Sequence, residues 1–281
     1  MPSAERDTTA RQRDRSSPDG QGAGLAEYAS ASRSPLHVLA FLAPVILVYE
    51  IGLALHHEEI AGTGGVRAWA MLARMLETLG VSPSAVVGYS LPAAIIVVVL
   101  VLWHLLERRP WSLRPGVLAL MAAETVAWMI PLLLFAGVLA RLQGASEPVV
   151  EAAAVQPMVP ATIESLSGVS WQGRTVIAVG AGLYEELLFR MAIFALLHAL
   201  LVDLCKLNVK AVVFLGLPLQ ALAFALYHDV WTAAGVDLWL AGLYFAGGMY
   251  LGTIFLLRGF GLAVGVHSLY NMAVLVVLGP A

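Results

Sequence analysis

Cysteine is almost missing from this chain: Cys205 is the only one in 281 residues. That excludes an intrachain disulfide and a thiolate metal cluster. Charge is scarce as well, with 12% of residues Asp, Glu, Lys or Arg against about 25% in soluble domains. The formal net charge is -3, the sequence pI is near 6.2 and no run of lysines or arginines occurs, which excludes a basic nucleic-acid surface. What fills the sequence instead is apolar: 59% of residues are hydrophobic and the mean hydropathy is +0.81. These residues come in blocks near the ~20 that a helix needs to cross a bilayer. The composition therefore predicts an all-α, polytopic transmembrane helical bundle rather than one or two soluble domains.

Residues 1–34 are rich in Ser, Arg, Asp, Gly and Gln and lack a periodic apolar pattern. They read as a disordered polar N-terminal tail, followed by an integral membrane helical domain over 35–281. The first apolar run, Leu36 to Leu55, meets no small-residue cleavage site before His56-His57-Glu58-Glu59 and reads as a retained span. Further spans are expected at Val86–Leu106, Val117–Leu142, Thr175–Leu204, Val209–Tyr227, Leu238–Leu257 and Leu262–Leu278, about seven in all. Between the first two, Val66, Trp69, Leu72 and Leu76 recur at helical spacing beside Arg67, Arg74 and Glu77, the pattern of an interfacial helix or one buried against the bundle. The connector 143–173 is too polar to span and reads as an external loop or short cap. Cytoplasmic loops hold the excess of Lys and Arg. A cytoplasmic N-terminus gathers Arg33, Arg108, Arg109, Arg114, Lys206, Lys210 and Arg258 on that side with the arginines of the tail, leaving Arg67, Arg74, Arg141 and Arg174 opposite.

An ionisable side chain near the centre of a span costs roughly 2.5–3.5 kcal/mol on insertion scales, so such groups face a bundle interior or a wet cavity. Here they cluster. Glu185, Glu186 and Arg190 stand within about two turns of one apolar helix. Glu186 and Arg190 are i and i+4 and close enough to pair, while Glu185 points about 100° away. That spacing leaves Glu186 to orient Arg190 and Glu185 for proton transfer. The spans that follow carry Phe224 with His228, and His267 with Asn271, again at i and i+4. Three helices are thus expected to converge on one polar centre. An activated water needs a base and a second anchor, and a tetrahedral intermediate needs donors to its oxyanion. Glu185, His228, His267 and Asn271 supply both sets.

Taken singly, each feature has a structural reading: a Glu–Arg bridge inside a bundle, or a histidine at a helix end. Three apolar helices that each carry polar groups in the C-terminal half are hard to explain by packing. Elsewhere the structural reading wins. Glu124, in mid-span, is expected to be paired; Glu50 and His104 stand near span ends within reach of headgroups; Asp229 is expected in solvent. Gly248-x-x-x-Gly252 and Gly261-x-x-x-Gly265 permit close helix approach.

In order and on successive spans, Glu-Glu-x-x-x-Arg at 185–190, Phe-x-x-x-His at 224–228 and His-x-x-x-Asn at 267–271 resemble the three motifs of the CPBP family, which includes the CAAX prenyl endopeptidases and bacterial Abi-type proteins. The resemblance implies a CPBP/CAAX-protease-like bundle with its catalytic core over 174–279, and hydrolysis of peptide bonds inside the membrane without an acyl-enzyme. It implies that Glu185 activates water with help from His228, Glu186 and Arg190 brace the site, His267 and Asn271 stabilise the oxyanion, and Phe224 shapes the substrate pocket. A glutamic-type and a metal-dependent mechanism both stay open: Glu185, His228 and His267 would be the ligands of a divalent metal such as zinc. The lack of His-Glu-x-x-His and the placement of His267 and Asn271 as donors favour no cofactor. The expected partners are the lipid bilayer and a membrane-embedded or membrane-tethered peptide, and the expected location is a bacterial cytoplasmic membrane. The rivals are an ion-coupled transporter, for which the two halves lack matching repeats, and a non-catalytic scaffold or immunity protein.

Overall fold

Inside a bilayer every backbone N–H and C=O must find a partner within the protein, so each apolar block closes its own hydrogen bonds as a helix. A computed structural model describes residues 18–61, 85–144, 168–233 and 235–278, with positions 74, 77, 78, 80 and 166 between them. The helices are α1 (Pro18–Ser32), α2 (Pro35–Ala61), α3 (Ala85–Glu107), α4 (Pro115–Leu142), α5 (Trp171–Glu185), α6 (Ile193–Leu197), α7 (Val209–Tyr227), α8 (Leu238–Arg258) and α9 (Phe260–Met272). π-Helical segments at Glu186–Ala192 and His198–Leu204 flank α6 and make Trp171–Leu204 one continuous rod, and a third, Ala273–Val277, extends α9. A two-residue antiparallel hairpin pairing Trp231 with Val236 joins α7 to α8.

Among the described residues six segments are long and apolar enough to cross a membrane: Pro35–Ile60, Pro115–Leu142, Trp171–Leu204, Val209–Tyr227, Leu238–Arg258 and Phe260–Val277. The remaining expected span is the helix α3, whose described apolar part is Ala93–Glu107. The chain is an integral membrane protein. Large apolar side chains such as Leu55, Leu106, Phe214 and Val277 stand exposed on the outside of the bundle, where they meet lipid rather than water. The expected interfacial helix lies outside the described residues except at Arg74 and Glu77, as does most of the connector 143–173. Where that connector returns, Ser170 caps α5 by accepting from the Gly173 N–H at 3.1 Å, and donates its own N–H and hydroxyl to the Glu59 carboxylate at the end of α2.

The disordered tail expected over 1–34 is corrected in its second half, which forms α1. Polar composition misleads there because the helix is held by contacts to the bundle rather than by an apolar face of its own. Tyr28 donates to Glu124 Oε2 at 2.5 Å, and burial together with that carboxylate pushes the phenol up to about 12. Glu124 also receives Arg258 in a two-pronged pair, Nε to Oε1 at 2.5 Å and Nη2 to Oε2 at 2.8 Å, and Trp128 Nε1 at 3.1 Å. The mid-span carboxylate of α4 is therefore a clamp on α1 and α8. Residues 1–17 lie outside the described residues.

The innermost helix is the last. Of the α9 span 72% is buried, against 39% for α8, the next most buried. It can sit there because its neighbours approach at glycine. A Cβ on Gly182 of α5 would stand 2.8 Å from the Ser268 backbone nitrogen of α9, and one on Gly248 of α8 would stand 2.9 Å from Ala221 Cα of α7. Gly261 and Gly265 of α9 face the side chains of Val38 and Phe41 of α2, which would stand 3.2 and 3.0 Å from an added Cβ. Gly182→Leu is accordingly expected to lose roughly 1–3 kcal/mol or more through overpacking, seen as a lower thermal unfolding midpoint in detergent. Gly242→Ala on α8, where a Cβ meets nothing within 4 Å, should leave that midpoint unchanged.

Candidate active site

The close approach at Gly182 sets the register between α5 and α9 just before Glu185 is reached. There the α-helix gives way to a π-helical turn carrying both Glu186 and Arg190. Such i→i+5 turns gather at functional sites. Arg190 Nη1 stands 2.9 Å from Glu186 Oε1, and both side chains are wholly buried. The guanidinium carbon lies 4.3 Å above the Phe224 ring of α7, whose negative face supports the cation.

His267 of α9 reaches the same carboxylate oxygen, Nδ1 to Glu186 Oε1 at 2.7 Å. Arg190 is a cation at any relevant pH, so its partner Glu186 serves as the acceptor and the His267 Nδ1 carries the donated proton. His228 ends α7, where the chain leaves the helix in an extended conformation. Its Nδ1 lies 2.7 Å from the Phe224 carbonyl, a group that only accepts, so this proton too is on Nδ1. The imidazole thereby satisfies a carbonyl that the helix end would otherwise leave open.

With both Nδ1 atoms committed, both Nε2 atoms face Glu185. Each is 3.8 Å from Glu185 Oε2. That separation is too long for a direct hydrogen bond and suits a pair bridged by one water. The walls are aromatic: Tyr244 of α8 stacks on the His228 ring at 4.0 Å, Tyr227 meets it edge-on at 5.4 Å, and Phe189 packs against Phe224. Asn271 is buried one turn beyond His267 on α9. Among the described residues no group of three His, Cys, Asp or Glu side chains is gathered so as to hold a metal ion. Chemically the centre offers a carboxylate, two oriented imidazoles and a braced cation, shielded from bulk solvent.

The structure brings Glu185, Glu186, Arg190, Phe224, His228 and His267 into one contact network and places Asn271 on the His267 helix. Asp229, next to His228, points out and is exposed. Sequence reasoning did not find Tyr244, Tyr227 or the π turn. Tyr227 adjoins His228 in the chain and was within reach, but Tyr244 sits among Gly, Ala and Phe with nothing in its spacing to mark it.

The fold and site define a helical integral membrane protein with a buried Glu–His–Arg centre. Residues 169–273, which contain all seven of the side chains named from the sequence, match the family model described as type II CAAX prenyl endopeptidase Rce1-like. That similarity agrees with the resemblance carried by the three motifs. No curated protein and no solved structure matches the chain.

Removing Glu186 strands two buried groups at once. Glu186→Ala should cost roughly 3–5 kcal/mol through the uncompensated Arg190 cation, whereas the isosteric Glu185→Gln should change the unfolding midpoint far less. Thermal unfolding of the two purified variants in detergent measures the difference.

Proposed function

We propose that the protein is an intramembrane endopeptidase in which Glu185 and His228 activate a water against a peptide bond of a membrane-embedded or membrane-tethered segment. The observation that carries this reading is the position of Glu185 Oε2, 3.8 Å from the Nε2 atoms of both His228 and His267. A water held there gives one hydrogen to Glu185 Oε2 and the other to His228 Nε2, and turns a lone pair towards the scissile carbonyl carbon. As the C–O bond forms, Glu185 takes the water's proton. His267, steadied by the Glu186 carboxylate at Nδ1, and the Asn271 side chain stabilise the oxyanion. Collapse of the intermediate breaks the C–N bond, and Glu185 passes its proton to the departing amine. Arg190 holds Glu186 in place and takes no part in the proton transfers. No metal enters these steps.

The Rce1-like match of residues 169–273 supports a peptidase, and the substrate reaches the centre from the bilayer side of the last four spans. Prenylation of that substrate is not required by the chemistry. With α3 taken as a seventh span, the arginine-rich α3–α4 turn and the N-terminus lie on the cytoplasmic side, in a membrane of bacterial type.

Purified wild type is expected to cleave members of a membrane-peptide library read by mass spectrometry. Glu185→Ala and His228→Ala should each lose roughly 10²–10⁴-fold, and Asn271→Ala roughly 10²–10³-fold, with folding intact. Cleavage should persist in chelator; its loss there, restored by zinc, would replace the metal-free mechanism. Equal behaviour of wild type and both single variants, together with ion flux in vesicles, would overturn the peptidase reading in favour of a carrier.

A further inference from the structure

On the end of the bundle that carries the α3–α4 turn, two cavities adjoin. One, of about 720 Å³, is a largely apolar groove in which Val99 and Trp103 of α3 face Phe255 and Leu256 of α8, with Met191 in its wall and Arg33 and Arg109 among its lining. The other, of about 340 Å³, is lined by Ser34, His37, His104, Arg109 and Arg114, with the Glu27 carboxylate among them. Ser30 and Arg109 line both. The apolar space thus leads directly into the polar one.

The polar chamber is built for an anion. His104 was expected among headgroups at a span end, yet it is 2% exposed, packed edge-on against Trp111 at 4.4 Å, and neither of its ring nitrogens has a hydrogen-bond partner. His37, also buried, accepts the Arg114 backbone N–H on Nε2 at 3.3 Å, so its proton lies on Nδ1 and goes to Ser34 Oγ at 2.7 Å. That leaves the Ser34 hydroxyl hydrogen to donate elsewhere. Three guanidiniums, of Arg33, Arg109 and Arg114, meet two carboxylates, of Glu107 and Glu27. The existing pairs Arg109–Glu107 at 2.6 Å and Arg114–Glu27 at 2.5 Å lie on the surface, where an ion pair contributes little and a phosphate can share the same forks.

We propose that the two cavities together form a site for an anionic glycerophospholipid, its phosphate held in the chamber by His104, Ser34, Arg109 and Arg114 and one acyl chain laid along the groove past Trp103 and Phe255. Continuity of an apolar channel with an anion chamber is what selects a lipid over a free phosphate. The acyl chain would pack on Met191, the residue after Arg190, so the lipid lies against the turn that carries the Glu186–Arg190 pair.

The test uses the full chain, delipidated in detergent and titrated with phosphatidylglycerol, phosphatidylcholine or glycerol 3-phosphate, with retained ligand counted by native mass spectrometry. Wild type should retain at least about fivefold more phosphatidylglycerol than phosphatidylcholine. Arg109→Glu and His104→Phe should each bring the two lipids level while leaving peptide cleavage intact; Arg109 is exposed, so its variant keeps the test valid if His104→Phe fails to fold. Equal retention of both lipids by wild type would reduce the site to ordinary boundary lipid and overturn the proposal. So would undiminished selectivity in Arg109→Glu, or binding of glycerol 3-phosphate as tight as that of the lipid, which would mark a soluble phosphate site.

Discussion

One carboxylate oxygen holds the centre together. Glu186 Oε1 pairs with Arg190 of its own π turn and accepts from His267 of α9, all three side chains being fully buried. A single unpaired charge there would be prohibitive, and it is the pairing of carboxylate with guanidinium that lets both be buried. Arg190 in turn fixes Phe224, and the Phe224 carbonyl fixes His228. The orientation of both imidazoles thus descends from one carboxylate–guanidinium pair, and Glu185 is the carboxylate left facing their Nε2 atoms.

That network needs three helices at close quarters, and the means are small residues. Gly182 lets α5 lie against the backbone of α9, and Gly248 lets α8 lie against α7. In lipid there is no hydrophobic drive to bring apolar helices together, so close packing and buried polar contacts do the joining. The same logic explains the periphery: Glu124 with Arg258 and Tyr28 ties the first, fourth and eighth helices by charge-assisted hydrogen bonds rather than by apolar area.

Much of this was legible in the chain itself. Helices in a membrane are announced by runs of apolar residues, and side chains such as Glu185, Glu186 and Arg190 stand out against such a background because their presence there is costly. The spacing of Phe224 to His228 and His267 to Asn271 identified the helices that converge. What was not legible depends on tertiary context. The helix over Pro18–Ser32 is polar and owes its order to Tyr28 and Glu124 nearly a hundred residues apart. The π turn at 186–192 leaves no trace in hydropathy, Tyr244 contributes by stacking alone, and His104 is enclosed by a loop that reads as exposed. His228 also departs from the helical pairing read for it, since it caps α7 rather than continuing it.

The proposed catalysis depends on a water held between the Glu185 carboxylate and the His228 imidazole. An experimental structure of the wild-type protein at a resolution that shows ordered solvent, with anomalous data at the zinc edge, tests this directly. An oxygen within about 2.6–3.2 Å of Glu185 Oε2 and His228 Nε2, without anomalous signal, is the predicted result. A metal bound at about 2.0–2.1 Å to the histidine nitrogens, or Glu185 closed directly onto His228 with no solvent between them, would contradict it.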